Sequence, residues 1–227
     1  MLMFVALALT SAPLALREPA ARWDRTTYWL LAGNSVFDAI NVLTFFESMQ
    51  RTTVAVAVIA HYGAPLWVAL AAPRIDRVRI AGAPIAALVA LVGLALVLAP
   101  WRSDVRWDGA LFGVASSFAY AGNVFVFSRL APRIGAARAI SLHAAIAAIL
   151  LLPFAWPDLP LITGANVARI VVGAAVLGTF AGMIYLRGLL AIGATRASML
   201  TFAEPLVAVL VGVLAWGEQL PWFAAAG

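Results

Sequence analysis

The chain holds ten acidic residues, two histidines and no cysteine. Several polar groups stand inside long apolar runs, where an ionised side chain at the centre of a span costs about 2.5 to 3.5 kcal/mol on insertion scales. Asp38 is one, with Asn34 four residues before it and Asn41 three after, so a helix presents all three on one face. That face either walls a cavity, with Asp38 binding a cation or a proton, or carries a neutralised Asp hydrogen-bonded between helices. Glu204 lies midway along another run, directly before Pro205. Proline removes a backbone donor and frees a carbonyl one turn earlier, so a bend is expected beside this carboxyl. Glu204 is either an ion or proton position or a structural hydrogen-bonding group.

His61 shares a run with Pro65 and Trp67 and could titrate near neutral pH if hydrated. His143, with Ser141, has no carboxylate close in sequence and reads as an interhelical hydrogen bonder. Ser116, Tyr120 and Asn123 follow at spacings of four and three, again one face, and Tyr185 is a further lining group. The candidate substrate or ion ligands are therefore Asn34, Asp38, Asn41, His61, Tyr120, Asn123, Tyr185 and Glu204. No paired-Asp, H-E-x-x-H, G-x-S-x-G or phosphate-loop motif is present, so no enzyme is expected. Two distant histidines and no cysteine give no metal site, and no cofactor is implied.

These residues must be positioned by membrane helices. Of 227 residues 64% are hydrophobic and 11% charged, with a mean hydropathy of +0.99, against about 25% charged in soluble chains. The length suits an all-α, polytopic bundle of about eight transmembrane helices and leaves no room for a soluble ATP-driven domain. Apolar runs predict spans near 1–16, 27–48, 52–72, 80–99, 108–129, 135–156, 167–188 and 195–215. Trp23, Trp29, Trp101, Trp107, Trp156 and Trp222 fall near span ends, as an aromatic belt requires.

All fifteen basic residues are Arg. Alternate loops collect Arg17, Arg22, Arg25, Arg74, Arg77, Arg79, Arg129, Arg133, Arg138, Arg187 and Arg196 on one side, leaving Arg51, Arg102, Arg106 and Arg169 on the other. The first set marks the cytoplasmic side. The short first segment then begins outside, and one further helix before residue 1 and one after 227 would make ten, with both ends cytoplasmic. Pro221 to Gly227 read as the start of that last helix.

Residues 33–87 overlay 173–227 at a constant offset, aligning Gly33 with Gly173, Ala57 with Ala197, Pro65 with Pro205 and Leu70 with Leu210. Five spans separate the equivalent helices, so the copies would insert upside down relative to each other, as in secondary transporters with a midplane site.

The run Gly193-Ala194-Thr195-Arg196-Ala197-Ser198, then Glu204-Pro205-Leu206-Val207-Ala208, then Gly217-Glu218-Gln219-Leu220, resembles the penultimate helix of EamA-type transporters of the drug/metabolite transporter superfamily. Trp107-Asp108-Gly109-Ala110-Leu111 leading to Ser116-Ser117-Phe118-Ala119-Tyr120 looks like that family's sixth helix. The resemblance implies a ten-helix fold of two inverted five-helix repeats, here 1–100, missing its first helix, and 101–227, missing most of its last. In place of the first repeat's GE pair stand Arg77 and Val78.

The expectation is a multi-pass secondary transporter in a bacterial inner membrane, exporting a small metabolite or drug by alternating access with proton coupling as one version. The alternative is a non-transporting chain or helper subunit of the same fold. The partners are a small-molecule substrate and the lipid bilayer, with protons and a second copy as a homodimer compatible with the residues, and no nucleic acid. Single cysteines replacing Arg77 and Arg133 should react with impermeant reagent from the same face of sealed vesicles. Labelling from opposite faces would refute the assigned topology.

Overall fold

The computed structural model describes residues 1–102 and 105–216; the Gly217-Glu218-Gln219-Leu220 run, Trp222 and the final apolar stretch lie outside the described residues. Every regular element among the described residues is helical. The helices are α1 (Leu2–Ala15), α2 (Arg25–Arg51), α3 (Val54–His61), α4 (Ala64–Ile75), α5 (Ala83–Leu98), α6 (Trp107–Ile134), α7 (Ala136–Ala155), α8 (Gly164–Gly173), α9 (Ala181–Ile192), α10 (Ala194–Leu200) and α11 (Ala203–Trp216). Taken with their interruptions they occupy the eight expected runs. Six stretches are long and apolar enough to cross a bilayer: Arg25–Arg51, Val54–Ile75, Trp107–Ile134, Ala136–Ala155, Gly164–Ile192 and Ala194–Ala215. Leu2–Ala15 and Ala83–Leu98 are shorter apolar helices.

Three differences from the expected spans have physical causes. The helices α2 and α6 run beyond 27–48 and 108–129 because their ends are polar yet hydrogen-bonded. Asp24 Oδ1 accepts from Thr27 N at 2.8 Å and Thr27 Oγ1 at 2.9 Å, holding the first turn of α2. The third and eighth spans are each broken, at Tyr62–Gly63 between α3 and α4 and at Thr201–Phe202 between α10 and α11. Each break stands two to four residues before a proline, Pro65 or Pro205, whose missing donor prevents the ladder from closing. The seventh span carries a π-helical stretch, Ala174–Phe180, between α8 and α9.

Large apolar side chains such as Leu177 and Leu214 point outward while Ser11, Asn34, Ser48, Ser116 and His143 are buried. A soluble protein has the reverse arrangement; a bilayer solvates this one.

The chain divides into two compact units, Met1–Ile40 with Gly122–Gly193, and Asn41–Ala121 with the segment from Ala194 onward. In unit one, α1 lies along α7, tied by Ser141 Oγ donating to Ala8 O at 2.9 Å. The Glu18 carboxyl accepts from the backbone N–H of Ala137 and Arg138, both at 2.8 Å, and so satisfies the first turn of α7. Gly122 lets α6 approach α2, since a Cβ there would stand 2.7 Å from the Phe37 ring.

In unit two Gly113 lets α6 approach α3, since its added Cβ would meet the Ala60 Cβ at 2.6 Å. Ser48 Oγ donates to Gly109 O at 2.7 Å, and Ser116 Oγ to Asn41 Oδ1 at 2.7 Å. Seven residues forward on α2 thus match seven back on α6, an antiparallel seam on small and polar side chains.

Outside the spans, Asp24 is held down to about 2, chiefly by the Thr27 backbone and hydroxyl and then by Arg133, whose Nη1 lies 2.9 Å from Oδ2. A depressed carboxyl contributes stability that is complete above its unfolded value, about 4, and lost as pH falls through the folded one. Detergent-solubilised wild type should therefore lose part of its thermal stability between about pH 4 and pH 2 through this group. Asp24→Asn should flatten that limb; parallel acid curves for the two proteins would contradict the assignment.

Candidate functional site

The expected ligands separate into two groups, four in each unit. In unit one they form a chain of hydrogen bonds across α2, α6 and α7. Asn34 Nδ2 donates to Asn123 Oδ1, and Asn123 Nδ2 donates to Asp38 Oδ1 at 3.3 Å. Asp38 Oδ2 lies 3.0 Å from His143 Nε2, and His143 Nδ1 lies 2.8 Å from Ala139 O. The Asp38 and His143 side chains are 16% and 6% exposed, so the contact is largely shut away from surroundings. The Phe127 ring closes on the imidazole edge-on at 5.3 Å. Tyr185, on α9, has its hydroxyl buried in the same unit. His143 is thus an interhelical hydrogen bonder, and its partner is the carboxyl that the span most needed to neutralise.

Helical phase placed Asn41 with Asn34 and Asp38, and the structure does not group them. Asn41 is two turns, about 10 Å, beyond Asn34 along the axis, and meets a different neighbour. Its Oδ1 accepts from Ser116, which receives the His61 Nδ1 contact at 2.8 Å. Since the hydroxyl proton goes to Asn41, Nδ1 of His61 is the donor. Asn123 parts from Ser116 and Tyr120, which both meet His61, for the same reason.

His61 leads into a cleft in unit two lined by His61, Tyr62, Ala64, Pro65, Tyr120, Thr201 and Glu204, with about 260 Å³ of empty space including its open mouth. Tyr62 Oη donates to Glu204 Oε2 at 2.8 Å. Rings surround this contact: Tyr62 with Phe202 at 6.0 Å, and His61 with Tyr120 at 5.4 Å and Phe45 at 4.7 Å. Both proline-associated breaks contribute to the cleft, and Tyr62 and Phe202 occupy overlaid positions of the sequence repeat. Glu204 stands in the first turn of α11, where the helix end favours negative charge.

Sequence reasoning left His143, Tyr62 and Ser116 outside the ligand set. No spacing joins His143 to Asp38 over 105 residues. Tyr62 had a usable signal, because it precedes Pro65 as Phe202 precedes Pro205.

A multi-pass helical bundle with interrupted spans and ionisable groups within them is an architecture shared by many membrane transporters. The chain belongs to the EamA-like transporter family, whose model matches residues 107–227, and that family transports rather than catalyses. It is 30% identical over 219 residues to an uncharacterized transporter of Archaeoglobus fulgidus, covering 93% of this chain and 75% of that protein. Over 150 residues it is 29% identical to the uncharacterized transporter YcbK of Bacillus subtilis, covering 60% of this chain and 47% of that one. A solved crystal structure, 18% identical, superposes with a TM-score of 0.78 over 99% of this chain and 81% of its own, a likeness of fold.

Proposed function

We propose that the chain is a secondary transporter of the inner membrane that exports a small organic amine by alternating access. The observation that carries the substrate class is the unit-two cleft. Its acidic side chain is Glu204, no Lys or Arg lines it among the described residues, and aromatic rings flank it. A carboxyl complements an ammonium, and ring faces add attraction for a desolvated cation. Breaks in both helices lie beside the cleft, as interrupted helices do beside the sites of other secondary transporters.

The inverted-repeat reading, 1–100 and 101–227, is part of this proposal. In its support, Val54–Ile75 and Ala194–Ala215 are both 22 residues long, lie at the offset of the sequence overlay, and are both broken before a proline. Energy would come from the substrate gradient or from protons.

Purified protein in detergent, screened against small primary and quaternary amines with matched neutral analogues, should rise in melting temperature with at least one amine. Glu204→Gln should weaken that ligand about tenfold or more, the loss expected for a hydrogen bond to a charged group. Sealed proteoliposomes should accumulate the same amine above protein-free liposomes. Equal response to amines and neutral analogues would overturn the substrate class, and absence of accumulation would overturn transport.

A further inference from the structure

We propose that the Asp38–His143 contact in unit one is a binding site for one proton, and that only its singly protonated state holds α2 to α7. The hydrogen-bond directions require this count. A carbonyl can only accept, so the 2.8 Å contact with Ala139 O makes His143 Nδ1 a donor. Asn123 is oriented by its other bond: its Oδ1 accepts from Asn34, so its Nδ2 donates and Asp38 Oδ1 accepts. Both outer atoms of the pair are thereby committed, and the 3.0 Å contact between Oδ2 and Nε2 must carry the variable proton.

With one proton there, the pair is neutral overall, whether written as carboxylic acid with imidazole or as carboxylate with imidazolium. With none, two lone pairs face each other and a net negative charge is buried. With two, two donors face each other and a net positive charge is buried. Either change breaks the contact.

The groups shown in contact with the pair are uncharged: Asn123 and the Phe127 ring from α6, with Asn34 of α2 behind Asn123. Of the elements packed on α7, α9 carries Tyr185 and Arg187, and α1 carries no ionisable side chain. Three arginines of α6 and α7 bond to other groups: Arg129 to Phe125 O, Arg133 to Asp24, and Arg138 to carbonyls of Ala15, Glu18, Pro19 and Ile134.

Loss or gain of the proton therefore frees α2 from α7, and in the transporter proposed above, on which this last step rests, that release is the coupling event. Proton binding itself does not depend on that reading.

The test uses the full chain in lipid bilayers with ¹⁵N-labelled histidine. There are two histidines, so His61→Gln leaves His143 as the single labelled side chain. Across a pH titration the Nδ1 resonance should stay that of a protonated nitrogen. The Nε2 resonance should move in one step. In Asp38→Asn that step should vanish, because the amide donates to Nε2 without exchanging a proton; Asp38→Glu should keep a step at a displaced pH. An unmoving Nε2 in the parent protein, or an identical step in Asp38→Asn, would overturn the proposal. Should Asp38→Asn fail to fold, the parent and Asp38→Glu titrations decide it. No step in the parent, beside intact amine binding by the wild type, would reject the proton site alone; a normal step in the parent without amine binding or accumulation by the wild type would reject the transporter reading alone.

Discussion

A carboxyl in the middle of a membrane span is the constraint on which unit one is built. Asp38 cannot face lipid, and it cannot be left bare within the protein at a cost of several kilocalories per mole. The response is a directed series of bonds reaching from Asn34 through Asn123 and Asp38 to His143 and the Ala139 carbonyl. Three helices are placed by that series. Gly122 is required because α6 must come close enough for Asn123 to reach the carboxyl, and the Phe37 ring occupies the space a side chain would need. Interhelical polar bonds in membranes contribute about 0.6 kcal/mol on average and up to about 1.7, so the series specifies position more than it adds stability.

Unit two solves a different problem. Pro65 and Pro205 interrupt their helices, and the freed backbone is tolerated only where protein or a hydrated cavity covers it. The structure supplies both. Tyr62 and Phe202, which follow the ends of α3 and α10, meet ring to ring, and Glu204 receives the Tyr62 hydroxyl beside them. Small residues along α6 allow the backbone of neighbouring helices to approach, so that Ser116 reaches both Asn41 and His61. The breaks thus become walls of the cleft.

The number of helical segments was legible because lipid leaves a helix one way to satisfy its backbone, and the apolar runs mark where that applies. The family was legible from the short Glu204-Pro205 neighbourhood. Asp38 and His61 stood out in the sequence as groups that need a partner, because burial of such groups is costly. Their partners were not. Helical phase reports which face a residue occupies, not which neighbour stands at its height, so Asn41 was grouped with Asp38 although it bonds to Ser116. His143 was read correctly as a hydrogen bonder, but its partner is a tertiary fact carried by no local pattern. The π-helical stretch Ala174–Phe180 left no mark in the sequence that periodicity could detect.

The central claim, that Asp38 and His143 act as one unit, is most directly measured by a double-mutant cycle on unfolding free energy in mild detergent, using Asp38→Ala, His143→Ala and the double variant. The account predicts strong non-additivity, with a coupling on the order of 1 kcal/mol because removing either partner already strands the other. Losses that simply add would mean that the two side chains stabilise the fold independently, and would contradict it.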